Sequence, residues 1–322
     1  MTGTITPADP GSAPATPPPG PLRTDNRVAA GIAWMLLAGV LFTAMSAIMK
    51  HLGETIPTAE IVFFRMAAGL AVVVPVALIY GGRAAFHTRH PLRHAIRSFF
   101  GASSLGCAVY ALGGLPFATA TALAFTTPLW VIVLAALFLR ERPSLLAVIA
   151  AAVGFSGVLV IAQPSVVIEL AVVVAIAGAV LAGGALTMVR SLSARDRSLA
   201  IVFWFSLYGT LYSLPPALLD WVMPTPFELL LLSTTGLLGV TGLFCSAQAY
   251  RQATAAFVAP ADFVRLPLAG LIGLLVFGEL PSSATLGGTL LIVLALAILL
   301  GDARRRNPAP GRSSRSPPAG PG

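Results

Sequence analysis

Hydrophobic runs of about 20 residues, separated by short polar connectors, dominate the chain. A membrane-spanning helix needs about 20 apolar residues, whereas the strands of a membrane barrel alternate over about 10 residues. The pattern therefore predicts an all-α polytopic membrane protein with ten transmembrane helices. The predicted segments are about 28–49, 59–80, 95–115, 117–139, 144–162, 169–189, 199–219, 228–249, 254–277 and 282–301.

An alternative count is nine spans, one of them bent. Only Pro116 separates the third and fourth segments, so these two could form a single span. Positive charge accumulates on the cytoplasmic side of membrane proteins. With ten spans, 17 of the 20 basic residues fall on the side of both termini, Lys50 falls on the other side, and Arg65 and Arg265 lie within spans. This asymmetry favours ten spans in the plasma (inner) membrane, with both termini cytoplasmic.

Composition agrees with this picture, since 57% of the 322 residues are hydrophobic and 10% are charged. Soluble domains carry about 25% charged residues. A water-soluble enzyme, a disordered protein and a disulfide-built secreted module are excluded. The net charge of +8 follows from membrane topology and does not indicate a nucleic-acid partner. The ends of the chain, 1–27 and 302–322, have the composition of disordered cytoplasmic tails.

Residues 28–162 and 163–301 match each other at offsets of 138–140 residues. Each half holds five predicted spans, an odd number, so the halves must be inverted relative to each other in the membrane. Inverted repeats are typical of transporters that open a central site to one side and then the other. Matching pairs include Ile61-Val62-Phe63 with Ile201-Val202-Phe203, Cys107 with Cys245, and Glu141-Arg142-Pro143-Ser144 with Glu279-Leu280-Pro281-Ser282.

The motifs resemble the drug/metabolite transporter superfamily, in its EamA-type branch of ten-helix permeases. The resemblance rests on Glu60 to Arg65, on Thr127-Pro128-Leu129-Trp130 followed by Arg140-Glu141-Arg142, and on Asp262 to Pro267 followed by Gly278-Glu279. It implies two five-helix EamA-type repeats around a cavity that moves small metabolites. Relatives of this kind carry amino acids, carboxylates, amines, riboflavin or S-adenosylmethionine, and the Asp262 segment looks closest to the last two groups.

Charged residues inside spans are the leading site candidates. A central arginine costs about 2.5–3.5 kcal/mol on insertion scales, so Arg265 should face a partner or a watery cavity. Asp262 lies one turn away and could neutralise it, either as a substrate site or as a structural pair. Arg65 could bind substrate or extend to the outer surface. Glu60, five residues earlier, is a candidate at the outer boundary of that span.

Other polar and aromatic side chains could line the cavity, although core packing is the alternative for each aromatic residue. Prolines inside spans could act as hinges or be static kinks. The lining candidates are Tyr110, Trp130 and Gln248, and the hinge candidates are Pro75, Pro128, Pro215, Pro260 and Pro267.

The expected function is secondary transport of a small polar metabolite, because the chain has no nucleotide-binding loop. Asp262 is the candidate for coupling to protons, and facilitated exchange fits equally well. The alternative is an intramembrane enzyme or a membrane sensor, but no HExxH or GxSxG motif is present. We expect no cofactor, no metal site and no nucleic acid, and a monomer or homodimer in the lipid bilayer. The loop histidines His87, His90 and His94 lack a cysteine or carboxylate to complete a zinc site.

Overall fold

A computed structural model describes residues 22–82, 86–138, 143–162, 169–193, 196, 198–253 and 258–306. Helices account for nearly all of these residues. The helices are α1 (Leu22–Leu52), α2 (Thr58–Gly81), α3 (Pro91–Gly114), α4 (Phe117–Ala124), α5 (Thr127–Phe138), α6 (Leu145–Ala162), α7 (Leu170–Ser193), α8 (Ser198–Leu219), α9 (Pro226–Gln252), a 3-10 helix (Ala259–Val264), α10 (Arg265–Phe277) and α11 (Ser283–Arg306).

Within the described residues, ten helical segments are long and apolar enough to cross a membrane, which confirms the predicted count. The nine-span alternative is wrong because the chain leaves the helix at Leu115, whose backbone is extended, before α4 begins. Pro116 explains this break, since a proline disfavours helical backbone at the residue before it. Two spans are composite: α4 and α5 form the fourth, and the 3-10 helix with α10 forms the ninth.

Several helix ends differ from the prediction. Helix α1 begins at Leu22, inside the predicted N-terminal tail, and α11 continues to Arg306, inside the predicted C-terminal tail. Helix α3 begins at Pro91, four residues before the predicted start, because proline is well suited to the first helical position. His94 is therefore helical and not a loop residue. The rest of both tails lies outside the described residues, as does the connector 139–142, which holds Glu141.

The two halves pack against each other in a symmetric pattern. Helix α1 pairs with α9, and α7, its counterpart in the second half, pairs with α3, the counterpart of α9. Helices α2 and α8 pair with each other, as do α6 and α11. Exchanging the halves leaves these pairings unchanged. Because the number of spans is even, the start of α1 and the end of α11 lie on one face of the bundle, called here the terminal face; the opposite face is the distal face.

Candidate functional site

A cavity of about 280 Å³ lies in the middle of the bundle, between helices of both halves. This central cavity is bounded by α1 to α5, α7, α8 and the start of α10. Most of its wall is small or apolar, and none of its described lining residues is acidic. Its polar lining consists of Arg65, Arg265, Ser46, Ser104, Thr121 and Thr127.

Arg265 reaches the cavity from the junction between the 3-10 helix and α10. A 3-10 helix aligns side chains three residues apart, which places Asp262 Oδ2 3.7 Å from Arg265 Nη1. The guanidinium also lies between two aromatic rings, 5.4 Å from the centre of Phe42 and 5.3 Å from that of Phe125. Its Nε is buried without a hydrogen-bond partner. Asp262 and the rings thus orient Arg265 and leave part of its donor capacity unused.

Close packing against α1 is possible at this point because Gly39 has no side chain. A Cβ there would lie 2.7 Å from Val264 Cγ1 and 3.3 Å from Arg265 Cγ. Any larger residue would push the segment that carries Asp262 and Arg265 away from α1. The glycine therefore helps to position the arginine.

Arg65 approaches the same cavity from α2. Its Nη1 contacts Met66 Sδ at 3.8 Å, and its Nε is buried without a partner. Gly239 leaves room for the guanidinium, since a Cβ at that position would lie 3.0 Å from Nη2. No carboxylate of the described residues lies within ion-pair distance of Arg65. The structure therefore brings Arg65 and Arg265 to one cavity and leaves Arg65 without a counter-charge.

A second cavity of about 440 Å³, the terminal-side cavity, shares Ala124, Thr127 and Arg265 with the central one. Asp262 and Tyr250 line it, and it extends along the terminal ends of α9 and α11. Arg265 therefore faces both cavities. The exposure of the Asp262 and Arg265 side chains, 29% and 24%, is to this space inside the bundle.

A partly buried ionic cluster, called here the distal lock, lies at the distal face and is formed by Lys50, Glu279 and the backbone around them. Lys50 Nζ donates to the carbonyl oxygens of Leu112 and Leu115, both at 2.8 Å, and lies 2.9 Å from Glu279 Oε1. Glu279 Oε2 accepts the backbone N–H of Phe117 at 2.7 Å. The lock joins the distal ends of α1, α3, α4 and α10. Glu279 thus caps α4 of the other half, and not the helix that follows it.

A polar contact at the terminal face joins α3 to the connector between α7 and α8. His94 Nε2 lies 2.8 Å from Asp196 Oδ2, which also accepts from the Thr88 hydroxyl at 3.0 Å. Burial raises the pKa of Asp196, but these hydrogen bonds and the nearby His94 and His90 charges lower it more, so the net pKa is below its ordinary value. The contact tethers the terminal end of α3, and His94 has a carboxylate partner that the sequence did not reveal.

Four other predicted site residues lie away from both cavities. Glu60 is fully buried at the distal end of α2, where it accepts the Val222 N–H at 3.1 Å. Trp130 packs on Phe155 with ring centres 4.7 Å apart, as the core alternative anticipated. Tyr110 is 42% exposed, and Gln248 is half-buried.

The predicted hinges differ in their surroundings. Pro75 and Pro215 lie inside continuous helices, so neither interrupts its span. Pro128 follows the break between α4 and α5, while Pro260 and Pro267 flank the Asp262–Arg265 segment. Breaks in the fourth and ninth spans occur at matching positions of the two halves.

Sequence reasoning missed Ser104, Phe205 and the methionines of α1 as lining residues of the cavity, and it missed the contact between Lys50 and Glu279. Lys50 and Glu279 were visible only as charges near span ends, where charges are common. The small residues of α3 and α7 that give the cavity its space are the signal that could have located it.

Comparisons with known proteins agree with this architecture. Residues 29–163 match the model of the EamA-like transporter family. The pseudopaline exporter CntI of Pseudomonas aeruginosa is 33% identical over 272 residues, which cover 84% of this chain and 95% of the exporter. The chain belongs to the EamA-like transporter family. It is therefore a multi-pass membrane transporter and not an enzyme.

Other family members differ in their named substrates and directions. A riboflavin transporter of Rhizobium johnstonii is 32% identical over 88% of this chain and 96% of its own length. An S-adenosylmethionine uptake transporter of Rickettsia bellii is 28% identical over 84% of this chain and 93% of its own. A solved crystal structure shares the fold with a TM-score of 0.59, at 20% identity, over 88% of this chain and 99% of that one.

Proposed function

We propose that this protein is a secondary transporter that moves a small, carboxylate-bearing metabolite through the central cavity by alternating access. The observation that carries the proposal is that Arg65 and Arg265 face one cavity whose described lining contains no acidic side chain. Guanidinium groups bind carboxylates through paired, charge-assisted hydrogen bonds. A substrate carboxylate would supply the negative charge that the cavity lacks.

The arrangement of closed and open space supports alternating access. The distal lock closes one side of the bundle, while the terminal-side cavity leads from Arg265 toward the terminal face. Basic residues predict that this face is cytoplasmic. The substrate would thus enter or leave on the cytoplasmic side in this conformation, and the lock would open in the alternate one.

The compounds named for the relatives make useful probes because they differ in charge. S-adenosylmethionine carries a carboxylate, and riboflavin carries none. Amino acids and simple carboxylates are the other candidate substrates. A thermal-shift screen of the purified protein against these four groups should give stabilisation by carboxylate-bearing compounds and none by riboflavin.

The decisive experiment measures uptake of the best-stabilising compound into liposomes that contain the purified protein. Arg265→Ala should reduce transport by about 100-fold, because it removes two charged hydrogen bonds to the substrate. Arg251→Ala is the matched control, since Arg251 lies at the end of α9 and lines neither cavity. The control should transport at the wild-type rate.

Full transport by correctly inserted Arg265→Ala would show that the central cavity is not the substrate site. If Asp262 and Arg265 were only a structural pair, both single variants would lose stability and Asp262→Asn/Arg265→Gln would regain transport. The wild-type protein must also require sealed vesicles, because a transporter produces no turnover without two compartments.

Asp262 is proposed to couple transport to protons. Its carboxylate holds Arg265 at 3.7 Å and faces the terminal-side cavity. A substrate carboxylate on Arg265 would compete with Asp262, and protonation of Asp262 would release the arginine. Asp262→Asn should therefore exchange substrate across the liposome membrane but fail to accumulate it when a pH gradient is imposed. Equal accumulation by wild type with and without the gradient would instead establish facilitated exchange.

A further inference from the structure

A third arginine, Arg97, lies close to the central cavity but outside it. It occupies the second turn of α3 from the terminal face, one turn before Gly101, which lines the cavity. Its guanidinium carbon is 4.0 Å from the centre of the Phe205 ring on α8. Its Nε and Nη1 are buried and make no hydrogen bond.

Stacking on an aromatic ring covers one face of a guanidinium but forms no hydrogen bond with its N–H groups. The N–H donors lie in the plane of the group and point past the ring edge, so they stay free to bind an oxyanion. Buried donors without partners are rare in proteins, and each one calls for an explanation. Contact with Phe205 accounts for the position of Arg97 but not for its unused donors.

No described carboxylate is available to pair with Arg97. Asp196 is bound by His94 and Thr88, and within the described residues no carboxylate lies within 4.0 Å of Arg97. Ser98, the next residue on α3, uses its hydroxyl on the Trp204 carbonyl oxygen at 3.4 Å. Among the residues that the structure describes, Arg97 therefore has no counter-charge, as is also true of Arg65.

The Phe205 ring separates Arg97 from the central cavity. The ring lines the cavity and occupies the space above Gly101, where a Cβ would lie 2.7 Å from Phe205 Cε2. A turn of this one side chain would join Arg97 to the cavity. Arg97 then lies nearer the terminal face than Arg65, on the α3–α8 side of the central cavity.

We propose that Arg97 forms a second anion-binding site, which holds a carboxylate of the substrate beside the central cavity, with Phe205 as the partition between the two sites. This inference rests on the proposed carboxylate transport. The phosphate of an anionic lipid headgroup offers the same oxyanion chemistry, so the experiment must separate the two sources.

The test counts binding sites by thermal denaturation of the purified full-length protein in neutral detergent, with succinate as the probe. Well above its dissociation constant, a ligand stabilises the protein in proportion to the logarithm of its concentration and to the number of sites. Arg97→Gln and Arg265→Ala should each halve the slope of stabilisation against log succinate concentration. Arg97→Lys keeps the charge but loses the planar set of donors, so it should also lower the slope, and it serves if the Gln variant does not fold.

The outcomes separate this inference from the proposed function. A wild-type slope in Arg97→Gln, with a response lost in Arg265→Ala, overturns the second site and leaves the central one. A half slope in Arg97→Gln with a normal slope in Arg265→Ala supports the second site and overturns the central one. If Arg97→Gln loses stabilisation by phosphatidylglycerol but not by succinate, the site belongs to lipid and the inference is overturned.

Phe205→Leu distinguishes a binding role from packing. Removing the ring opens the partition and releases the guanidinium from the cation–π contact that holds it away from the cavity, so the affinity for succinate should rise by about two- to fivefold, the factor that one such contact represents. If Arg97 only packs against the ring, Phe205→Leu will lower the melting temperature and leave succinate binding unchanged.

Discussion

The distal lock and the central cavity both place charges inside the bundle, but they use the hydrogen-bonding capacity of those charges differently. All three ammonium donors of Lys50 have partners, and Glu279 has a partner on each oxygen. Arg65 and Arg265 each keep a buried Nε without one. A charge whose bonds are all made within the protein stabilises one conformation, whereas a charge with unused donors is available to a ligand.

The largest expected effect is on the lock. Lys50→Ala leaves the Glu279 carboxylate and two carbonyl oxygens without their donor, so it should lower the free energy of unfolding by about 2–4 kcal/mol. His51→Ala is the matched control, because the neighbouring His51–Glu54 pair is 3.7 Å apart and both side chains are more than half exposed. An exposed pair contributes about 0–1 kcal/mol. Thermal denaturation in detergent measures both variants.

The double variant Lys50→Met/Glu279→Gln sharpens this prediction. It removes both charges, so no buried carboxylate is left unpaired and most of the lost stability should return. Equal melting temperatures for wild type, Lys50→Ala and His51→Ala would show that the distal lock does not stabilise the fold. The proposed difference between the distal lock and the central cavity would then be wrong.

Much of the fold could be predicted because the membrane imposes it on the sequence. Apolar runs fixed the ten spans, and the asymmetry of basic residues separated ten from nine. The break between α4 and α5 did not interrupt the apolar run, and only the hinge candidate Pro128 pointed to this part of the span. Helix ends were the other source of error, because Pro91 started α3 earlier than the apolar pattern indicated.

The candidate site was predictable only where a charge stood out against an apolar span. Arg65, Asp262 and Arg265 were found in this way and meet at adjoining cavities. Lys50 and Glu279 form an ion pair although they are 229 residues apart in the chain. No local sequence pattern predicts such a long-range contact. Which side of a helix faces the cavity was equally hidden, because these spans are apolar all round, and the structure places Trp130 and Tyr110 outside both cavities.

The smaller expected effect is on the cavity, and it has the opposite sign. Arg65→Met replaces an uncompensated buried cation with an apolar side chain of similar length, so it should raise the free energy of unfolding by about 1–2 kcal/mol while substrate binding is lost. Arg93→Met, at an exposed position of α3, is the control and should change neither property. If Arg65→Met instead loses as much stability as Lys50→Ala, Arg65 holds the fold together and its unused donors do not mark a binding site. If Arg65→Met raises the free energy of unfolding and abolishes substrate binding, the charge of Arg65 serves the ligand and not the fold.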